Sequence, residues 1–176
     1  MANVIYFRKG GRLCTDERYT AFLDYAFAQT DYFMLVYVFR RGSRYAAALH
    51  RYRQMLAPYL VKQRNEPYWA GTMLPFSETV SYEVSFYRNT EEAKQVLQEA
   101  SALFDWSSPK RPQDLAFFRR NRCWFYSSSA EKSAALLHAT ERDLAFLTEH
   151  GLADPADALP EDLYFELYDE QLTTFY

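Results

Sequence analysis

Eight consecutive residues, Tyr32–Phe39, read Tyr-Phe-Met-Leu-Val-Tyr-Val-Phe without a polar interruption. Side chains of a strand point alternately to the two faces of its sheet. A strand that is apolar at every position is therefore a central one, buried on both faces. The run is far shorter than the ~20 apolar residues needed to span a bilayer, and it is rich in β-formers. No other segment restricts the fold as strongly.

The flanking segments carry helical and strand periodicities. Thr15 stands where an N-cap is expected, with Asp16 and Glu17 in the first turn, where the helix dipole favours acids. Tyr19, Phe22, Leu23, Ala26 and Phe27 then recur on one helical face. After Gly42-Ser43, the stripe Tyr45, Leu49, Tyr52, Leu56 and Tyr59 predicts a second helix that Pro58 ends or kinks. Gln63–Pro75 reads as a long loop, the kind of segment that often carries function. Val80, Tyr82, Val84 and Phe86 alternate with polar or less apolar neighbours, as in a half-buried strand. A capping box from Asn89 to Glu92 opens a helix with Ala93, Val96, Leu97, Ala100 and Phe104 on its apolar face.

Leu115–Phe118 and Trp124–Ser127 flank Arg119–Cys123 as a hairpin, with Asn121 expected at positive φ. Ser128–His138 fits either a helix or a third strand of a meander, and we favour the strand. Thr140-x-x-Asp143 starts a fresh helix that Gly151 closes. Pro112–Phe117 and Pro160–Phe165 echo each other, but two copies are too few for a repeat array. These elements lack a strict βαβ period. They predict a single α+β domain over residues 1–176, with a largely antiparallel or mixed sheet and three to five helices.

Charge divides the chain by position. Residues 1–138 carry 19 Lys and Arg against 13 Asp and Glu, whereas residues 139–176 carry Arg142 alone against ten acids. That acidic segment also contains Leu163, Tyr164, Phe165, Leu167, Tyr168, Leu172, Phe175 and Tyr176. It is too apolar for a solvated tail, so it is expected to dock on the basic body. The N-terminus lacks the apolar stretch of a signal peptide. Cys14 and Cys123 are isolated thiols without CxxC spacing. A cytoplasmic protein with reduced cysteines is the expectation.

Chemical motifs are sparse. His50, His138 and His150 show no HExxH or clustered Cys/His spacing, so neither a metal nor a cofactor is expected. His150, in the last turn before Gly151, suits a helix C-terminus. Ser129-Ala130-Glu131-Lys132 matches S-x-x-K, but no Lys-Thr-Gly follows, and a turn or cap is the simpler reading. Lys9-Gly10-Gly11-Arg12 offers amides and cations to a phosphate, yet it lacks both nucleotide-binding spacings, and a plain turn explains it better. No catalytic residue is assigned. An enzymatic reading would draw on Glu83, Asp105, Asp114 and His138 near the Trp69 loop.

Two basic stretches stand out. Tyr32–Asn65 holds seven Lys and Arg and no acid. In the second, Lys110, Arg111, Arg119, Arg120 and Arg122 are interleaved with Phe117, Phe118, Trp124, Phe125 and Tyr126. Cations and aromatics on one hairpin would suit single-stranded nucleic acid. The isoelectric point near 5.7 argues the other way.

Trp69-Ala70-Gly71-Thr72, Leu103-Phe104-Asp105-Trp106, Pro112-Gln113-Asp114-Leu115-Ala116-Phe117 and Cys123-Trp124-Phe125 follow in that order. Across roughly residues 60–140 the chain resembles a family of small uncharacterised bacterial proteins, mostly Gram-positive. Its members carry W-x-G-T, L-F-x-W and P-E-D-L-x-F…W-F. In that family the hairpin turn often contains Gly and is followed by Ser-His-Glu. Here Asn121 and Ser129-Ala130-Glu131 stand at those places. Some members are labelled a stage III sporulation protein of AH type, which implies a membrane-anchored channel component. This sequence has no spanning segment to match. The resemblance thus implies a bacterial origin and a shared fold, without an activity.

The function expected from these residues is non-enzymatic protein binding of an immunity or regulatory type. Trp69, Trp106 and Trp124 are the candidate contact residues, because Tyr, Trp and Arg anchor interfaces. Arg119, Arg120 and Arg122 are the candidates for the nucleic-acid alternative.

Overall fold

In the computed structural model, which describes residues 3–8, 14–160 and 163–173, Tyr32–Arg40 (β2) lies inside an eight-stranded sheet. Its companions are Asn3–Tyr6 (β1), Leu60–Arg64 (β3), Val80–Arg88 (β6), Gln113–Arg119 (β7), Arg122–Ser128 (β8), Ser133–Ala139 (β9) and Ala158–Pro160 (β10). The order is β10-β1-β9-β8-β7-β2-β6-β3, and every neighbouring pair is antiparallel. Tyr68–Trp69 (β4) and Thr72–Met73 (β5) form a separate small hairpin. The described residues also form four α-helices, Asp16–Gln29 (α1), Ala46–Leu56 (α2), Glu91–Leu97 (α3) and Glu141–Glu149 (α4), and four short 3₁₀ helices. The chain is a single α+β domain, as the sequence predicts.

β2 shows why both faces need cover. Phe33, Leu35 and Tyr37 join one buried cluster with Phe22 and Leu23 of α1, Leu49 and Leu56 of α2, Leu97 of α3 and Leu147 of α4. Met34, Val36 and Val38 join a second cluster with Trp69, Ala70 and Phe165. All four helices therefore lie on one face. The other face is covered by the β4–β5 hairpin and by residues 165–173, called the strap here. No described helix is long and apolar enough to cross a membrane.

Local chemistry accounts for most boundaries. α4 starts at Thr140-x-x-Asp143 as predicted, through a capping box: the Thr140 hydroxyl accepts from Asp143 N, and the Asp143 carboxylate accepts from Thr140 N. Gly151 ends this helix at φ 70. The segment that fitted either helix or strand is β9.

Four expectations need correction. The α3 cap is Thr90, whose hydroxyl accepts from Ala93 N, while Asn89 instead donates to Thr30. That helix stops at Leu97, and Leu103–Asp105 form a separate 3₁₀ turn. In the β7–β8 turn, Arg120 takes the positive φ, 53°, and Asn121 does not. Its neighbour Asp31 holds the Arg120 amide, and the Asn121 side chain is committed to the strap. The loop expected over Gln63–Pro75 begins inside β3 and contains the small hairpin. β3 is an edge strand with little burial, so it shows no alternation to read. The Pro112 and Pro160 echoes also diverge, since one begins β7 and residues 163–168 form a 3₁₀ helix. The turn at 9–12 lies outside the described residues.

Candidate functional site

The hairpin that covers the second face is pinned by Asp114. This carboxylate is buried in β7 and accepts from four donors. Trp69 Nε1 (2.8 Å) and Gln113 Nε2 (3.3 Å) reach Oδ2, and Ser129 N and Oγ (both 2.9 Å) reach Oδ1. A buried carboxylate survives when its lone pairs are filled in this way. Asp114 sits at φ 61, a backbone region that Asp and Asn tolerate better than most residues. On the hairpin, Gly71 has φ 88, and a β-carbon there would stand 2.5 Å from the Tyr126 ring. Glycine is the only residue that lets the hairpin lie this close to the sheet.

The strap is held by polar anchors spread over the same face. Phe165 and Tyr168 pack on Tyr126 of β8. Asp169 accepts from Cys123 N (2.9 Å), and Glu170 N donates to Asn121 O (2.9 Å). Asn121 Oδ1 accepts from Leu172 N and Thr173 N. Glu170 binds Arg64 at 2.6 Å and Lys62 at 3.1 Å, both from β3. Arg64 and Glu170 are only 11% and 12% exposed, so this pair is well shielded from solvent. Glu170 of the acidic segment thus pairs with two cations of the basic stretch 32–65. Asp154 adds a second pair with Arg8 at the surface.

Hairpin and strap together leave an apolar outer surface. Met73, Phe76 and Leu167 are 84%, 82% and 78% exposed, and Tyr68 and Leu74 lie partly open beside them. Between hairpin and strap runs a pocket of about 600 Å³, lined by Tyr68, Met73, Leu167, Tyr168, Arg64 and Glu170 among others. Arg64 also stacks over the Tyr68 ring at 4.5 Å, and the Tyr68 hydroxyl donates to Glu66. Sequence reasoning marked this loop as a place for function but did not single out Met73, Phe76 or Leu167. Nothing in residue type separates an exposed Met or Leu from a buried one. The nearby Pro67, Gly71 and Pro75 were the available signal.

The tryptophans are all buried. Trp69 braces the hairpin through Asp114. Trp106 Nε1 donates to Tyr19 (2.7 Å), whose hydroxyl donates to Leu97 O (2.6 Å). Trp124 stacks on Phe22 under the helices, and its Nε1 has no hydrogen-bond partner among the described residues. Trp124 and Phe125 both reach the helix side because the β7–β8 register shifts beside them.

Arg119, Arg120 and Arg122 are exposed at the β7–β8 turn. Arg119 donates to Gln29 O (2.8 Å). Of the aromatics interleaved with them, Phe117, Phe118, Trp124 and Phe125 are buried, and the half-buried Tyr126 packs against Phe165 and Tyr168. The turn is thus cationic without the stacking rings that a single strand would need.

The acid–base candidates do not converge. Glu83 binds Arg53 (2.8 Å) and Gln63 (3.2 Å), and Asp105 accepts from Ser101. Asp114 is enclosed as described, and His138 occupies an irregularity in β9 at φ 53, where the pairing with β1 shifts. Ser129 of the S-x-x-K run is spent on Asp114, and Lys132 lies over the Phe104 ring. Burial pushes the Cys14 thiol up to about 12 and raises that of Cys123. Neither is a thiolate near neutral pH. Among the described residues, no three His, Cys, Asp or Glu side chains gather in a way that could hold a metal ion.

The motif fragments bind one another. Trp69 of W-A-G-T meets Asp114 of P-Q-D-L, and Gly71 of the same fragment meets Tyr126, next after C-W-F. Their spacing therefore encodes how the hairpin seats on the sheet. No protein-family model, curated protein or solved structure matches this chain.

Proposed function

We propose that this chain is a non-catalytic protein-binding domain of regulatory or immunity type, working in a bacterial cytoplasm. Its contact surface is the outer side of the β4–β5 hairpin and strap. The observation that carries this reading is the exposure of Met73 and Leu167 on the lining of one pocket, with Phe76 open to water three residues after Met73. Contiguous apolar side chains left in water mark places where a partner removes them from it. Burying each is worth roughly 1.5–3 kcal/mol.

Rigidity supports the same reading. Met73 is presented by a hairpin locked through Trp69, Asp114 and the close approach of Gly71 to Tyr126. A preorganised surface loses little entropy on binding. The resemblance of residues 60–140 to small bacterial proteins fits, because its motifs hold this hairpin in place. The nucleic-acid alternative retains its three arginines but loses its aromatic half to the core.

The test pairs capture with reconstitution. A protein recovered in stoichiometric amount by the wild-type chain should rebind it when purified. It should bind Met73→Asp/Phe76→Asp at least about tenfold more weakly, the scale of one lost hot spot. Circular dichroism and thermal midpoint should be unchanged in that variant. A recovered protein that binds wild type and variant equally would remove this surface from consideration.

A further inference from the structure

The β7–β8 turn carries three arginines, and the carboxylates around it are engaged elsewhere. Asp31 accepts from the backbone amide of Arg120, and Asp169 from that of Cys123. Glu170 is held by Lys62 and Arg64. Among the described residues, the guanidinium groups of Arg120 and Arg122 make no ion pair, and that of Arg119 reaches only Gln29. Arg119, Arg120, Asn121 and Arg122 line an open depression with Asp169, Glu170 and Gln171. Asp169 and Glu170 also line the apolar pocket on the other side of the strap. The cationic turn and the apolar groove are therefore adjoining surfaces that share the strap as a common wall.

We infer that this turn is the anchoring point for an acidic segment of a protein partner, whose apolar side chains lie in the groove of Tyr68, Met73 and Leu167. This rests on the protein-binding reading above and adds the chemistry of the partner. Charge complementarity selects the acid, because unpaired guanidinium groups bind carboxylates in forked, charge-assisted contacts. The neighbouring groove selects a peptide. A nucleic acid would need rings to stack on, and Phe117, Phe118, Trp124 and Phe125, which flank the turn, are buried. The protein already shows the preferred chemistry in cis: the strap mixes Phe165, Leu167, Tyr168 and Leu172 with Glu166, Asp169 and Glu170, and Glu170 closes on two cations.

The probe is a short fluorescein-labelled peptide alternating Asp or Glu with Leu or Phe, titrated with the full chain and followed by anisotropy. Binding should weaken as salt rises, since exposed charges are screened. Arg120→Gln/Arg122→Gln should weaken it about tenfold and flatten the salt dependence. Neither side chain supports the fold, so thermal midpoints should match wild type. Arg40→Gln/Arg41→Gln, at the opposite end of β2, should bind like wild type.

Equal binding by wild type and Arg120→Gln/Arg122→Gln would overturn the inference. So would an oligonucleotide of matched charge that displaces the peptide as well as unlabelled peptide does. If the arginine variant binds normally while Met73→Asp/Phe76→Asp fails against the captured protein, the contact surface stands and its acidic partner does not. If both variants behave as wild type in both assays, both readings are gone.

Discussion

The helix-covered face of the sheet and the face under the hairpin and strap bury similar side chains. β2 sends Phe33, Leu35 and Tyr37 to one and Met34, Val36 and Val38 to the other. They are closed by different physics. On the helix side, apolar stripes of α1, α2, α3 and α4 interlock, and Phe22 alone meets the rings of Phe7, Phe117, Trp124 and Phe125. On the other side, irregular chain is held by point attachments: Trp69 on Asp114, Glu170 on Arg64 and Lys62, and Asn121 on Leu172 and Thr173. Continuous packing is matched by the absence, among the described residues, of an exposed large apolar side chain on α1, α2, α3 or α4. Point attachment leaves Met73, Phe76 and Leu167 in water, which is why the proposed contact surface falls on that side.

The strongest way to break this contrast is Phe22→Ala. It empties the centre of an aromatic cluster that cannot collapse without moving α1. The expected loss is about 3–5 kcal/mol, measured by denaturant unfolding. A loss no larger than that of a point-attachment variant would mean that the helix layer is not the dominant one.

Asp114→Asn sharpens the other half. The substitution preserves shape and tolerates φ 61, so backbone strain is not added. It does turn an amide donor toward Trp69 and Gln113 or toward Ser129, all of which donate to the carboxylate. The expected cost is about 2–3 kcal/mol, with the hairpin loosened before the sheet unfolds. Tryptophan fluorescence and amide exchange at Trp69–Gly71 would report that order. Simultaneous loss of hairpin and sheet would show that the two layers unfold as one.

The same contrast explains what could be read without the structure. β2, α1, α2 and α4 were legible because burial on the helix side repeats with the period of the element. Apolar residues at every position of Tyr32–Phe39 and the stripe Tyr19, Phe22, Leu23, Ala26 are local patterns. The capping box at Thr140 is local too. β3, the strap and the outer surface were not legible, because their supports come from distant parts of the chain. Glu170 finds Arg64 and Leu172 finds Asn121 only after the sheet exists. The charge split suggested that the acidic segment meets cations without indicating which residues pair. The tryptophans were ambiguous for a related reason: their size suits either a core or an interface. Only the partners of Trp69 and Trp106 and the packing of Trp124 place them.

The smallest expected effect separates the two faces most cleanly. Glu170→Gln removes the charge that Arg64 and Lys62 share, while keeping a side chain able to accept one hydrogen bond. The pair is neither fully exposed nor fully buried. Its loss should cost about 1–2 kcal/mol, between the small value of surface pairs and the larger penalty for stranding a buried charge. That cost should appear as local opening. The amides of Leu172 and Thr173, which donate to Asn121, should exchange much faster, while those of β2 keep their protection. Salt should reproduce part of the effect in the wild type and add little in the variant, because the interaction it screens is already gone. Equal acceleration of β2 and strap amides would mean that the strap is as integral to the fold as the helices. The division between a packed face and an attached one would then fail.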